Sequence, residues 1–151
     1  MIKSHSIDNS EDLIDSREVI ARIAELESDR ETLVEAVSQA AEDHGADSEA
    51  VAAAQLTLDE WDHGDEAEEL TALRALQDAA EGYCPDWPYG ATLIHESYFE
   101  TYARDMAEDL HGSVMRNAQW PFDCIDWERA AEALKIDYTA VEFGDATYWV
   151  R

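Results

Sequence analysis

The sequence predicts an α+β protein with an acidic helical first half and a small second domain of two helices and a β-hairpin. Apolar residues recur at helical spacing through residues 16–80, and two β-rich runs flank a Gly-Asp pair near the C terminus. Composition changes near residue 82, because the later residues hold thirteen of the fourteen aromatic side chains and all three prolines. We therefore expect an acidic helical region at 1–81 and a compact domain at 82–151.

The longest helix is predicted at 16–43. Ser16 suits its N-cap, Glu18 lies in its first turn, and Gly45 follows its end. Apolar residues three, four or seven positions apart form a heptad seam that faces other helices of the chain or a second copy. Because few other helices are predicted to cover the seam, we expect a homodimer. The seam consists of Val19, Ile23, Leu26, Leu33, Val37 and Ala40.

Four further helices follow from helical spacing and capping residues. They cover residues 48–62, 65–80, 96–111 and 127–134. The hairpin is predicted from strands at 140–143 and 146–150, joined by Gly144 and Asp145.

Net charge narrows the classes of partner. The chain carries 36 acidic and 10 basic residues, a net charge of −26, which opposes direct binding of nucleic acid or of anionic membrane. No apolar run reaches membrane-spanning length, and the start lacks a signal-peptide pattern, so we expect a cytoplasmic protein. With 46% hydrophobic residues, the chain has enough apolar material for a core.

Catalytic and cofactor-binding motifs are missing from the sequence. It has no phosphate-binding glycine loop, zinc-protease motif or nucleophile elbow, and its two cysteines and five histidines lack metal-ligand spacing. An EF-hand loop starting at Asp59 would place Gly64 correctly, but Trp61 and His63 stand where oxygen ligands are needed. We expect no catalysis, no cofactor and no metal site.

The densest negative charge lies where the second predicted helix meets the third. Seven carboxylates fall within eleven residues, with no lysine or arginine among them. Because like charges this close cost stability, we expect them to serve a partner rather than the fold. This acidic face consists of Asp59, Glu60, Asp62, Asp65, Glu66, Glu68 and Glu69.

Three interpretations of the acidity remain open from composition: mimicry of DNA, a solvated or salt-adapted surface, and an adaptor for a basic partner. The net charge of −26 equals that of about 13 base pairs, roughly 44 Å of duplex. A helix at 16–43 would be about 42 Å long. Salt adaptation is favoured by the presence of only two lysines, Lys3 and Lys135.

A second motif lies in the C-terminal half. In residues 120–134 an acidic and aromatic stretch precedes a short helix, and it follows another amphipathic helix at 97–110. Together with the terminal residues 146–151, these segments resemble the C-terminal part of the ArdA antirestriction family, over about residues 91–151. An ordinary capped helix with Trp127 in the core is the alternative. The matching motif positions are Asp123, Asp126, Trp127, Glu128 and Glu132.

The resemblance implies a function. ArdA proteins are dimeric DNA mimics of phages and plasmids that inhibit type I restriction enzymes. We therefore expect a non-catalytic inhibitor of a DNA-binding defence complex, acting in the cytoplasm of a bacterial host. Residues 1–81 depart from the small α/β domains of that family, so the target could also be a CRISPR effector. The alternative is an acidic structural, adaptor or salt-adapted protein that does not compete with DNA.

Overall fold

The computed structural model of the protein describes residues 6–151 and confirms the α+β class. The chain divides into a helical unit, with residues 6–8 and 18–77, and a sheet-containing unit, with residues 9–17 and 78–151. The elements are β1 Leu13–Asp15, α1 Ser16–His44, α2 Glu49–Asp62, α3 Asp65–Glu81, β2 Thr92–His95, α4 Phe99–His111, α5 Ser113–Arg116, α6 Trp127–Leu134, β3 Thr139–Phe143 and β4 Ala146–Val150.

The helices of the helical unit lie where the sequence predicts them. The Ser48 hydroxyl caps α2 by accepting a hydrogen bond of 3.3 Å from the Val51 amide. Leucines at helical spacing on α3 are buried, as an amphipathic helix requires. The buried apolar residues of this unit are Ile7, Val19, Ile23, Leu26, Leu58, Leu70, Leu73 and Leu76.

The start of α1 differs from the prediction. The Ser16 hydroxyl does not cap the helix; it donates to the Trp87 carbonyl and accepts from the Ala91 amide, both at 2.7 Å. The Asp15 carboxylate instead accepts a hydrogen bond of 2.8 Å from the Arg17 amide. Because Ser16 is fully buried, these bonds satisfy a hydroxyl that would otherwise lack partners, and they connect the start of α1 to the segment 87–91.

The predicted hairpin is confirmed as part of a larger sheet. Four antiparallel strands lie in the order β1-β2-β4-β3, with Leu13 opposite Ile94 and Ile94 opposite Trp149. Gly144 adopts a φ of +64° in the tight turn between β3 and β4, a backbone conformation that glycine tolerates best. Strands β1 and β2 were not predicted, because three and four residues are too short for a clear alternating pattern.

Aromatic side chains form much of the core of the sheet-containing unit. Phe99 of α4 is fully buried and meets the Tyr138 ring edge-on, with centroids 5.3 Å apart. The Tyr102 and Tyr138 hydroxyls lie 3.3 Å apart, and burial together with this hydrogen bond raises the pKa of Tyr102 to about 12. The same cluster contains Ile94 of β2 and Ala131 of α6, so helices and sheet share one core.

Residues 6–151 include no helix that is both long enough and apolar enough to span a lipid bilayer.

Candidate functional site

The helical unit holds far more acid than its arginines can neutralise. Between Glu18 and Gln77 there are seventeen carboxylates and three arginines. All three arginines are engaged inside the unit: Arg22 with Glu69 and Glu25, Arg30 with Asp62, and Arg74 with Glu27. The unit therefore keeps a large negative excess.

One member of the predicted acidic face is structural. Glu69 accepts two hydrogen bonds from the Arg22 guanidinium, each 2.9 Å long, and a third of 2.9 Å from the Ile7 amide. Both side chains of the pair are 9% exposed. Burial opposes ionisation of Glu69, but the bonds from Arg22 and Ile7 outweigh it and lower the pKa of Glu69. Glu69 is thus removed from the surface that could meet a partner.

A second member, Asp62, also has a cationic neighbour. The Arg30 guanidinium donates to its two oxygens over 2.8 and 3.2 Å, and this hydrogen bonding lowers the pKa of Asp62. No arginine lies within the acidic face in sequence, but two of its members, Asp62 and Glu69, pair with arginines that come from α1.

The other five carboxylates, Asp59, Glu60, Asp65, Glu66 and Glu68, are exposed at the junction of α2 and α3. Three of them lie in the first turn of α3, where the helix dipole stabilises negative charge. Asp59 and Glu60 lie in the last turn of α2, where the dipole disfavours it, and that turn has no basic residue. The helix dipole thus favours the first group and disfavours the second, in which Asp59 also accepts a hydrogen bond of 2.9 Å from the Gln55 side-chain amide.

The last turn of α1 repeats this unfavourable placement. Glu42 and Asp43 are exposed just before the helix ends at His44. Each carboxylate at such a position costs roughly 0.3–1 kcal/mol. The Gln39 side-chain amide donates to both oxygens of Asp43 over 3.0 Å, and His44 lies in the same turn, but the helix dipole itself disfavours acidic residues at both helix ends.

A shallow cleft opens beside the acidic face. It has a volume of about 270 Å³ and is lined by Asp29, Thr32, Leu33, Trp61 and Glu66. The Trp61 indole donates a hydrogen bond of 3.1 Å to Glu66, which holds the ring in place. An aromatic face bordered by carboxylates has the chemistry to receive a lysine or arginine side chain.

The predicted dimer seam is only partly accessible. Val19 and Leu26 are fully buried and Ile23 is 7% exposed, so these three residues cannot contact a second copy. Leu33 lines the cleft beside Trp61, and Val37 is partly buried. The predicted dimer seam is therefore wrong for residues 19–26, because other residues of the same chain cover that part of α1.

The motif residues of the C-terminal half lie on α6 or within four residues before it. The Asp126 carboxylate caps the helix by accepting a hydrogen bond of 3.2 Å from the Arg129 amide, and Glu132 pairs with Lys135 at 3.1 Å. The Trp127 ring is partly buried beneath the Arg104 guanidinium, 5.2 Å from its centroid. The two remaining motif acids, Asp123 and Glu128, are exposed.

No family model, curated protein or solved structure matches the chain. The resemblance to the ArdA family therefore stays a prediction. Among residues 6–151, no three histidine, cysteine, aspartate or glutamate side chains are grouped so that they could hold a metal ion.

Proposed function

We propose that this protein is a non-catalytic DNA mimic that inhibits a DNA-binding defence complex of a bacterial host, in the host cytoplasm. The observation that carries the proposal is the group of acidic residues at the ends of α1 and α2, where the helix dipole disfavours them, in a unit whose arginines are all engaged internally. Negative charge at positions where the helix dipole disfavours it is expected when a binding partner recognises that charge.

The dimensions of α1 suit this role. Its 29 residues span about 44 Å, close to the length of about 13 base pairs. Exposed carboxylates along it, such as Glu31, Glu35 and Glu42, can stand in for phosphates before a lysine- and arginine-lined groove. Binding would release the same counterions that DNA binding releases.

The proposed target is a type I restriction enzyme or a CRISPR effector, and a phage or another mobile element is the proposed source. The C-terminal resemblance to antirestriction proteins favours the first target. The experiment adds the purified protein to either enzyme with labelled target DNA. If the protein competes with DNA, the protein concentration that gives half-inhibition should rise in proportion to the DNA concentration. A half-inhibition concentration that does not change with the DNA concentration would refute mimicry.

The second candidate is a salt-adapted acidic protein, favoured by its scarcity of lysine. A mimic should fold in dilute buffer, because it must bind its target there, whereas a salt-adapted chain needs molar salt against its own repulsion. We expect the same helical circular dichroism at 0.05 M and 2 M salt. Loss of the helical signal at 0.05 M would favour salt adaptation.

We further propose a weak homodimer through the end of α1 that the chain leaves partly accessible. Replacing Val37 by Asp should lower the dimer fraction at tens of micromolar, measured by sedimentation. Ala36→Asp is the matched control, because Ala36 is the adjacent, exposed residue and does not belong to the seam. Repulsion between two chains of charge −26 should weaken the dimer at low salt. A monomer at both 0.1 and 0.5 M salt would refute it.

A further inference from the structure

An apolar groove crosses the sheet-containing unit. Helices α4, α5 and α6 and the helical turn Phe122–Cys124 enclose a volume of about 580 Å³. Apart from His111, every side chain that lines it is apolar, including Val114, Phe122, Ile125 and Trp127. Trp127 belongs to the motif that resembles antirestriction proteins, so the motif helix forms one wall.

The groove exposes large apolar side chains to water. Val114 is 47% exposed and Phe122 is 50% exposed, and Trp120, two residues before Phe122, is 80% exposed. Scattered apolar residues are ordinary on protein surfaces, but several together around a concave site mark a surface that another molecule covers.

The charge of the residues around the groove indicates which kind of molecule binds there. Residues 99–134, which form its walls, contain eight carboxylates and three arginines, and Arg104 already lies over the Trp127 ring. The exposed acids Asp123 and Asp126 directly adjoin Phe122, Ile125 and Trp127 on one edge, whereas Arg116 and Arg129 adjoin the lining residues Met115 and Ala130, so the edge at residues 122–127 is the acidic one. A second copy would bring the same negative surface, whereas a cationic partner would be attracted.

We propose that this groove binds an amphipathic helix of a partner protein, with apolar side chains in the groove and lysine or arginine side chains along the flank beside Asp123 and Asp126. Residues at spacings of three, four and seven on such a helix would fill the groove beside Val114 and Trp127. Its cations would face the carboxylates at the edge. The inference does not depend on DNA mimicry, since it concerns other residues in the other unit.

The probe is a 16-residue helical peptide of leucine and lysine that carries all its leucines on one face. The control peptide has the same composition with its leucines distributed around the helix. Binding is measured by calorimetry at 0.3 M salt, because salt screens the nonspecific attraction between any cationic peptide and a chain of charge −26. We expect the amphipathic peptide to bind at least 10-fold more tightly than the control. Equal affinities would overturn the proposal.

A matched pair of variants locates the binding. Val114→Glu places a charge in the groove, whereas Leu110→Glu makes the same change in charge at a 72% exposed position outside the lining. Val114→Glu should reduce amphipathic-peptide affinity at least 10-fold, to the level of the control peptide, and Leu110→Glu should change it less than twofold. Equal losses would overturn the proposal, as would a dimer of this chain that Val114→Glu dissociates.

Discussion

Replacing Asp59, Glu60, Asp65 and Glu68 by the corresponding amides is expected to weaken inhibition of the target by about 100-fold or more. All four are exposed, and none forms an ion pair within residues 6–151 of the chain. A hydrogen bond to a charged group contributes about 1.5–3 kcal/mol, so two well-aligned contacts would account for that loss. The measurement is the half-inhibition concentration in the DNA competition assay.

The control variant removes four negative charges, from two aspartates and two glutamates, at positions outside the acidic face. Asp78, Glu96, Glu100 and Asp137 are also exposed, and their amide variant has the same composition of changes and the same net charge. If the acidic face makes specific contacts, the control should lose less than about fivefold. If both variants lose the same small amount, the charge acts only as a diffuse field. If neither loses anything, the acidic face is simply solvated.

Local patterns in the sequence are sufficient to predict most of the helices and the hairpin. Capping residues and helical spacing located α6 at 127–134, and Gly144 with Asp145 located the hairpin. Strands β1 and β2 depend on pairing between residues about 80 positions apart, such as Leu13 with Ile94. Pairing at that distance leaves no periodic signal in three or four residues, so it could not be read from either segment.

The candidate site was less predictable, because its electrostatics depend on arginines far away in sequence. Arg22 lies 47 residues before Glu69, and Arg30 lies 32 residues before Asp62. One signal did exist: Arg30 occupies a position that the heptad pattern of α1 reserves for an apolar residue. An arginine within an otherwise apolar seam favours a carboxylate partner on a neighbouring helix, although the pattern alone does not say which carboxylate, and Arg30 stays 44% exposed beside Asp62.

The strongest effect on stability is expected from Glu69→Gln. This change removes one of the two carboxylates that pair with the Arg22 guanidinium, which is 9% exposed, and leaves Glu25 at 3.1 Å as the remaining counter-charge. Breaking a buried ion pair typically costs about 3–5 kcal/mol, and we expect the low end of that range. Glu68→Gln is the matched control, because it makes the same substitution at the adjacent, exposed position. Urea unfolding at pH 7 should show a loss of about 3 kcal/mol for Glu69→Gln and less than about 1 kcal/mol for Glu68→Gln.

The difference between wild type and Glu69→Gln should also depend on pH. The fold lowers the pKa of Glu69 below its ordinary value of 4.5, so the folded state binds this proton less readily than the unfolded chain does. The stabilisation is therefore complete at pH 7 and diminishes as pH falls below 4.5 through the folded pKa. Low pH also relieves the repulsion among the other carboxylates, but it does so equally in wild type and Glu69→Gln. The difference in the free energy of unfolding between the two proteins therefore isolates the contribution of Glu69. A difference that stays constant down to pH 2.5 would mean that the Glu69 charge does not stabilise the fold.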